Sequence, residues 1–493
     1  MSSSHASTAL RGATKIVIGS YIANLLTIAA GILIPRFLGK QAYGEYAFFS
    51  AAFSLATGIS SLGLGLVITR YFAPLFESGE QEKAVGLYNA FFLCRVLSGL
   101  IISISSFIFL EFTNPFKSSF AALILMFFLV LIWNVSDTLF TLQLGAQRYG
   151  YWGLRLPLRP LARLSLVIPG FFVAGIPGAI GGLVFGEFLI SLFGFHLRRQ
   201  VLPRKIVKAD FAALWAYRRL VGLNYVNQLL GIVGNYLGVM LVAFTTYSAE
   251  TTGYYALATR LVMLLYSAPQ QALGSMTPAL AILHEQKEAS RFSTWIDLGI
   301  RGGIFGFVII WGVFGLAGKP VIALLLGESF KPVYIILLAL LISLPFQWIG
   351  NAMFQVCIVH ERPELNIPSG LIWLICFGIF GLWFLDLWGP TGLAAAYTIA
   401  TIISVTAAYL IVRFYLHIRI ALMRCAILLF CALPFVAAMM LGENILERIA
   451  GAFIGIAAAA IIAHVTGALR IDEIAAFYRR LKGGGNSGNS EDN

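Results

Sequence analysis

The sequence predicts an all-α polytopic membrane protein with about 14 transmembrane helices. Of its 493 residues, 59% are hydrophobic and only 11% are charged, and the mean hydropathy is +0.86. A soluble domain carries about 25% charged residues. Uncharged stretches of about 20 apolar residues recur along the chain, each long enough to cross about 30 Å of hydrocarbon as a helix. The sequence lacks strand-type alternation, which favours a helical bundle over a β-barrel.

Fourteen predicted spans follow from this pattern. Their approximate limits are 14–35, 46–69, 84–110, 119–142, 154–174, 178–197, 220–245, 253–281, 296–317, 331–356, 366–387, 391–413, 422–441 and 446–466. Gly and Pro interrupt helices. We therefore divide the fifth span from the sixth at Gly175-Ile176-Pro177-Gly178, and the eleventh from the twelfth at Trp388-Gly389-Pro390.

The basic residues give this arrangement an orientation. With the N-terminus placed in the cytoplasm, 27 of the 34 Lys and Arg fall on the inside and 6 on the outside, and Arg260 lies within a span. This asymmetry is the one that membrane insertion imposes on short loops. Both termini are therefore predicted to be cytoplasmic. The net charge of +12 is then explained by inside loops that face anionic lipid heads, so nucleic acid is not an expected partner.

The second half of the chain repeats the first at an offset of about 204 to 213 residues. Gly44-Glu45-Tyr46-Ala47 returns as Gly253-Tyr254-Tyr255-Ala256, and Arg95 aligns with Arg301. Each half holds six spans, an even number, so both halves begin on the same side of the membrane. The two six-helix repeats are therefore parallel, and spans 13 and 14 are two extra C-terminal helices. Two such bundles suit transport by alternating access.

This organisation predicts six segments. They are a cytoplasmic N-terminal tail (1–13), an N-terminal six-helix bundle (14–197), a basic cytoplasmic linker (198–219), a C-terminal six-helix bundle (220–413), an additional helix pair (414–466) and a cytoplasmic tail that is disordered at its end (467–493). Loops of at most about 25 residues leave no room for a soluble catalytic domain. The five cysteines lie in or beside apolar spans and are expected to pack there; no metal site is predicted.

Several motifs resemble those of a known superfamily. They are the stretch from Ile34 to Ala47, Gly58-Ile59-Ser60-Ser61-Leu62-Gly63-Leu64, Gly253-Tyr254-Tyr255-Ala256, and Gly389-Pro390-Thr391-Gly392-Leu393-Ala394-Ala395. Their order over about residues 10–465 is similar to that of the MOP superfamily, which includes the MATE exporters, and most similar to its Wzx-like polysaccharide flippases.

The resemblance implies a flippase of the bacterial plasma (inner) membrane. Such a protein moves an undecaprenyl-diphosphate-linked oligosaccharide to the outer leaflet for surface polysaccharide or lipopolysaccharide biosynthesis. The implied partners are this lipid-linked substrate, the bilayer, and the polysaccharide polymerase with its chain-length machinery. No cofactor is expected; H⁺ or Na⁺ is the candidate coupling ion. Two alternatives stay open, a MATE-type ion-coupled exporter of small molecules and a membrane-embedded polysaccharide polymerase or ligase.

Charged residues within spans are the first candidates for a substrate site, because a charge at the bilayer centre costs at least about 2.5–3.5 kcal/mol. Arg260 lies about seven residues into span 8 and could clamp phosphate, or it could snorkel to the interface. It has Ala51 as its repeat equivalent, so the cavity is expected to be lopsided in charge. Arg95 and Arg301 are expected near the cytoplasmic mouth, as phosphate ligands or as anchors.

Four further groups complete the predicted site. Asp137 and Glu187 are ion-coupling candidates, with a structural salt bridge as the alternative. Asn24 and Asn134 could bond sugar hydroxyls or join helices. Pro74 and Pro278 occupy matched positions and are expected to kink their helices near a gate.

Overall fold

Helices dominate this chain because a backbone in hydrocarbon must satisfy its N–H and C=O groups within its own segment. The computed structural model describes residues 3–202, 207–246, 248–275, 280, 283–286, 288–418, 421–442, 444–470 and 472–473. In the first half of the chain the helices are α1 (Ser3–Ser60), α2 (Gly65–Glu77), α3 (Gln81–Thr113), α4 (Phe120–Gly145), α5 (Tyr149–Arg198), α6 (Phe211–Ala216), α7 (Arg218–Thr246) and α8 (Ala249–Ser275).

The second half continues the same pattern. Its helices are α9 (Ala289–Leu326), α10 (Val333–Leu341), α11 (Leu344–Val359), α12 (Ile367–Leu416), α13 (Leu422–Phe430), α14 (Leu433–Leu441) and α15 (Ile445–Val465), with 3₁₀ turns at Glu328–Phe330 and Pro363–Asn366. Among the described residues, nine helices are long and apolar enough to cross a membrane, or ten if the bent pair α10 and α11 forms one span. The protein is thus an all-α polytopic membrane protein, while the count of fourteen spans stays a prediction.

The longest helices contain the predicted interruptions. In α5 the backbone turns at Gly175 (φ 62°, ψ −141°), and in α12 it turns at Gly389 (φ 62°, ψ −149°). Both glycines occupy the positive-φ region that residues with a Cβ rarely adopt. The sequence placed both turns correctly, and the two breaks share almost the same backbone geometry.

The first two predicted spans are also separated by a glycine. Gly39 (φ 77°, ψ 169°) breaks α1. A second break follows between α1 and α2, where Leu62 and Gly63 both have positive φ. This second break, at residues 61–64, interrupts the predicted second span (46–69). Pro74 lies beyond it, exposed and three residues before α2 ends. Pro278 lies outside the described residues.

Two compact units make up the chain, and each is described by itself. The first comprises Met1–Arg260 and Leu325–Phe330, and the second Leu261–Leu324 and Lys331–Asn493. In the first unit α5 packs along α1 and α4, around a core that includes Phe72, Tyr88 and Phe91. In the second, α11 packs on α12 and α14 on α15. The predicted division into six segments stays a prediction.

Glycines permit close contacts between helices in each unit. In the first unit the repeat-equivalent residues Gly44 and Gly253 lie against each other, and a Cβ on Gly253 would come within 3.0 Å of the Gly44 Cα. In the second unit Phe435 covers Gly312 and Gly455, where any side chain would collide with its ring. Small residues at such contacts allow backbones to approach in a medium without a hydrophobic driving force between helices.

Candidate anion site in the N-terminal unit

Three arginines form a row along α5. Arg155, Arg159 and Arg163 are spaced by four residues, so they lie on one face of the helix. The row extends over eight residues, about 12 Å at 1.5 Å per residue. All three belong to the apolar helix Tyr149–Arg198, which is long enough to span a membrane. Charges within such a helix persist where the protein supplies partners or a polar cavity.

The carboxylate of Asp137 binds two arginines, Arg155 of the row and Arg95 on α3. Asp137 on α4 accepts from Arg155 Nη2 through Oδ1 at 2.5 Å and from Arg95 Nη2 through Oδ2 at 3.0 Å. Both arginines are buried. Charge-assisted hydrogen bonds of this kind fix side chains strongly. Because Asp137 carries a single negative charge, one positive charge of this trio remains uncompensated.

The positive charge of the middle arginine, Arg159, is compensated by a carboxylate. Arg159 Nε lies 3.0 Å from Glu187 Oε1. Its guanidinium also lies over the ring of Trp133, with Cζ 3.3 Å from the ring centroid. A cation over an indole face is attracted by the ring quadrupole. Glu187, a predicted ion-coupling residue, is therefore a buried partner of Arg159 in this structure.

The last arginine of the row has hydroxyl partners. Arg163 Nε donates to the Tyr46 hydroxyl at 2.6 Å, and Nη2 donates to Ser50 Oγ at 3.2 Å. Arg260 lies close enough to interact electrostatically with Arg163 and Tyr43. Among the described residues, neither Arg163 nor Arg260 has a carboxylate within ion-pair distance.

The cluster therefore carries excess positive charge. We name it the arginine cluster, and its ionised members are Arg95, Arg155, Arg159, Arg163, Arg260, Asp137 and Glu187. Five positive charges against two negative charges leave a net +3 inside one apolar unit. Tyrosine hydroxyls orient the two guanidiniums that lack carboxylates. Planar guanidinium forks bind phosphate oxygens in pairs, so this arrangement suits a polyvalent anion.

The remaining predicted residues of this unit have different surroundings. Asn134 is fully buried; it accepts from Ser60 Oγ at 3.0 Å and donates to the Val130 carbonyl at 2.9 Å. Its side chain also packs where Gly99 leaves room on α3. These contacts join helices, which was the alternative interpretation of this residue. Asn24 lies half-buried on α1.

Arg301 belongs to the second unit. Its Nε lies 2.9 Å from Asp297 Oδ2 and its Nη1 2.8 Å from Glu473 Oε2. Nη1 also donates to the Ala468 carbonyl at 2.8 Å. The guanidinium is buried and ion-paired through Nε and Nη1. Arg301 thus links Ala468 and Glu473 to α9.

The arginine row was not among the predicted site residues. Arg155, Arg159 and Arg163 were assigned to the inside in the prediction, although the predicted fifth span (154–174) contains them. The signal that identifies them is their spacing of four inside an apolar span, which places three cations on one helical face. If the three arginines are assigned to the span, fewer Lys and Arg lie on the cytoplasmic side, but that side still has more of them than the outside.

Comparisons with known proteins agree with this architecture. A family described as polysaccharide biosynthesis protein matches residues 9–284, more than half of the chain. Stage V sporulation protein B of Bacillus subtilis is 22% identical over 424 residues, covering 76% of this chain and 80% of that protein.

Solved structures share the fold at low sequence identity. A lipid II flippase, MurJ, in an inward closed conformation is 18% identical with a TM-score of 0.70, covering 94% of this chain and 99% of that one. An inward-facing multidrug resistance MATE family transporter of the MOP superfamily is 14% identical with a TM-score of 0.62, covering 82% and 98%. A MOP superfamily transporter from Pyrococcus furiosus, described as having a binding pocket of reversed polarity, is 13% identical with a TM-score of 0.57, covering 83% and 95%.

The solved structures confirm the multi-pass helical fold that the predicted resemblance to the MOP superfamily implies. The predicted role, a transporter and not an enzyme, stays a prediction. The narrower resemblance to Wzx-like flippases stays a prediction.

Proposed function

Because the chain belongs to the polysaccharide biosynthesis protein family, we propose that it is a flippase for a lipid-linked oligosaccharide. The substrate we propose is an undecaprenyl-diphosphate-linked oligosaccharide, moved from the inner to the outer leaflet of a bacterial inner membrane. Its diphosphate needs a cationic site in a polar cavity, while its polyprenyl tail stays in lipid. Both termini are then cytoplasmic, and a polysaccharide polymerase with its chain-length machinery would receive the product.

The observation that carries this proposal is the net +3 of the arginine cluster. Arg163 and Arg260 are its two members without a described carboxylate partner. A diphosphate bound between them would compensate the positive charges that Asp137 and Glu187 do not. An exporter of small cations would have to bring its substrate against this positive charge, and so the cluster favours an anionic substrate over the MATE-type alternative.

Ion coupling through the two carboxylates is a further proposal. Both oxygens of Asp137 already face guanidiniums, and Glu187 faces Arg159. A proton or Na⁺ could occupy either carboxylate only after an arginine withdraws. We therefore propose that H⁺ or Na⁺ binding at Asp137 alternates with its pairing to Arg95 and Arg155.

The test is a transport assay on purified protein in liposomes that contain undecaprenyl-diphosphate-linked oligosaccharide. Arg260→Ala and Arg163→Ala should each slow transport about 10- to 100-fold, since a hydrogen bond to a charged group contributes about 1.5–3 kcal/mol. Arg260→Lys keeps the charge but loses the planar fork, so it should restore part of the rate. Arg199→Ala is the control, because Arg199 is exposed beyond the row.

Three outcomes would contradict the proposal. Normal transport by Arg260→Ala would remove this residue from the substrate site. Equal losses in Arg260→Ala and Arg199→Ala would indicate a general effect of lowered charge. Export of a small organic cation by the wild type, without transport of the lipid, would support the MATE-type alternative.

A further inference from the structure

Arg155 lies over a row of three residues on α4. Asp137, Phe140 and Gln143 are spaced by three residues, so they follow one ridge along the helix surface. Arg155 Nη2 binds Asp137, the first residue of the ridge. The guanidinium also lies over the second residue, with Cζ 5.3 Å from the Phe140 ring centroid. Gln143, the third residue, is therefore the next one along the ridge from the guanidinium.

Gln143 has unused hydrogen-bonding groups. Its side chain is fully buried, and neither Oε1 nor Nε2 has a hydrogen-bond partner among the described residues. Buried polar side-chain atoms in native structures nearly always have such a partner. The Oε1 atom is thus an acceptor that the described contacts do not use, close along the helix to a residue that binds a guanidinium.

Arg155 has a donor to spare. Its Nε is buried and has no hydrogen-bond partner among the described residues, while Nη2 donates to Asp137. A guanidinium carries five N–H donors in a fixed planar fork and does not lose its charge. It can therefore exchange one acceptor for another as an intact cation.

The ridge is enclosed by α5, whose two arms lie before and after the turn at Gly175. The first arm carries Arg155 itself. From the second arm, Gly194 lies so close that a Cβ there would come within 3.3 Å of the Phe140 ring. Phe193 packs on the same ring, with centroids 6.3 Å apart. The ridge is therefore buried between α4 and α5, and a step of three residues along it is about 4.5 Å.

Aromatic rings would stabilise the guanidinium during such a step. A cation over an aromatic face is attracted by the ring quadrupole. Besides the Phe140 ring, Arg155 Cζ lies 5.0 Å from the centroid of Trp152. The cation would therefore keep aromatic partners while it moves from one oxygen to the next.

The ion coupling proposed above requires an arginine to withdraw from Asp137. Resting on that proposal, we infer that Gln143 is a positioning residue for ion coupling. Its Oε1 is the acceptor to which Arg155 moves when Asp137 binds the coupling ion. Arg155 returns to Asp137 when the ion leaves, so one guanidinium alternates between two oxygens on the same helix.

A double-mutant cycle on the full protein in detergent measures this second contact without any substrate. Asp137→Asn removes the carboxylate, so Arg155 should then use Gln143. In the wild type, Gln143→Leu should change the unfolding equilibrium constant less than about twofold, because it removes an amide without described partners. In Asp137→Asn it should raise that constant about tenfold, as expected for one hydrogen bond to a charged group.

Relocating the carboxylate tests the contact by rescue. Gln143→Glu added to Asp137→Asn should lower the unfolding constant again about tenfold, because Arg155 regains a counter-ion. Ser103→Ala is the matched control, since the Ser103 hydroxyl is also buried and has no partner among the described residues. It should change the unfolding constant equally with and without Asp137→Asn.

The pH dependence of lipid transport in liposomes gives a second readout in variants that keep Asp137. The charged residues that act on Asp137 are Arg95 on α3 and Arg155 and Arg159 on α5. Gln143→Glu should draw Arg155 away and raise the pH optimum by about one unit, a tenfold change in proton binding. Gln143→Leu removes the second acceptor and should lower the optimum.

If Na⁺ is the coupling ion, the same variants should shift the half-saturating Na⁺ concentration instead. Gln143→Glu should lower this concentration and Gln143→Leu should raise it, because Arg155 competes with the ion for Asp137. These shifts decide the inference by themselves if Asp137→Asn does not fold.

The outcomes separate this inference from the proposed function. Equal effects of Gln143→Leu with and without Asp137→Asn, and no rescue by Gln143→Glu, would overturn the second position of Arg155 and leave the diphosphate site standing. Shifts in the same direction for both Gln143 variants would also overturn it. A wild type that transports no lipid-linked oligosaccharide would overturn the proposed function and the role in coupling, while the cycle would still decide whether Arg155 binds Gln143.

Discussion

Each unit contains buried arginines that are paired with carboxylates. Only in the cluster of the second unit do the positive and negative charges balance. Arg95 and Arg301 are repeat equivalents, and each is buried against carboxylates from its own unit. Among the described residues, the cluster around Arg301 consists of Arg301, Arg424, Asp297 and Glu473, two positive and two negative charges. The arginine cluster around Arg95 has the net +3 described above.

On the proposed function, the difference separates a structural use of charge from a substrate-binding one. A balanced buried cluster fixes the packing of helices, and its partners cannot be removed singly without leaving an unpaired charge. The unbalanced arginine cluster would gain a counter-charge from the proposed diphosphate. The repeat-equivalent residues Arg95 and Arg301 are therefore common to both units. The additional positive charge of the first unit comes from the α5 row and Arg260.

The largest effect on stability is expected at Asp137. Asp137→Asn removes the charge that holds Arg95 and Arg155 together, leaving two buried guanidiniums without a counter-ion. Breaking a buried ion pair in this way costs about 3–5 kcal/mol. The free energy of unfolding in detergent, measured by denaturant titration, checks this value.

A surface carboxylate provides the control for Asp137. Glu80 pairs with Lys83, and their side chains are 44% and 67% exposed. Glu80→Gln should change the unfolding free energy by less than about 1 kcal/mol. Equal losses in the two variants would show that the Asp137 bridge contributes no more than a surface pair.

A smaller stability loss, with no loss of transport, is expected at Arg301. Arg301→Leu leaves Asp297 and Glu473, but Arg424 stays beside Glu473 at 3.4 Å, so we expect a cost of about 2 kcal/mol. Transport per folded molecule should match the wild type. Arg260→Ala should show the reverse pattern, with slow transport and nearly normal stability. A transport defect in folded Arg301→Leu would mean that the balanced cluster also contacts substrate.

The fold was largely predictable because hydropathy and glycine act locally. The bends at Gly175 and Gly389 follow from Gly-Pro signals in apolar sequence, and the structure confirms both. The break at residues 61–64 was not predicted. It depends on Leu62 adopting positive φ, a conformation that a leucine shows only when its surroundings impose it.

The site was predictable only in part. Arg260 stood out because it is an isolated charge in an apolar span, whereas Arg155, Arg159 and Arg163 were counted with the inside residues although all three lie within the predicted fifth span (154–174). No local signal identifies Tyr46 as the hydroxyl partner of Arg163, because the two residues lie 117 positions apart. Pairings of this kind depend on tertiary packing, which a single sequence does not show.

A moderate effect is expected at that hydroxyl. Tyr46→Phe keeps the ring but removes an acceptor from Arg163, which should cost about 1 kcal/mol in unfolding free energy and reduce transport a few-fold. Tyr225→Phe is the control, since its hydroxyl donates to the Ile59 carbonyl and not to an arginine. If both variants transport equally well, the orientation of Arg163 does not limit transport, and net charge alone would distinguish the two units.

The smallest effect concerns a third charge pair, which is exposed. Lys40 Nζ lies 2.8 Å from Glu250 Oε1, with side chains 44% and 39% exposed. The hydrogen bond from Lys40, aided by one from the Tyr254 hydroxyl, lowers the pKa of Glu250 below its ordinary value of 4.5. A carboxyl with a lowered folded pKa adds stability that is fully present above its unfolded pKa. That stability is lost as the pH falls through the lower folded value.

Wild type and Glu250→Gln should therefore differ by at most about 0.5 kcal/mol at pH 6, as is usual for an exposed pair. Their unfolding free energies should converge as the pH falls below about 4.5. Salt should weaken the difference as well, because exposed charges are screened. A difference of several kcal/mol, or one that grows toward acid pH, would show that this pair behaves like the buried clusters. Burial would then no longer explain why charge matters more at Asp137 and Arg301 than at the surface.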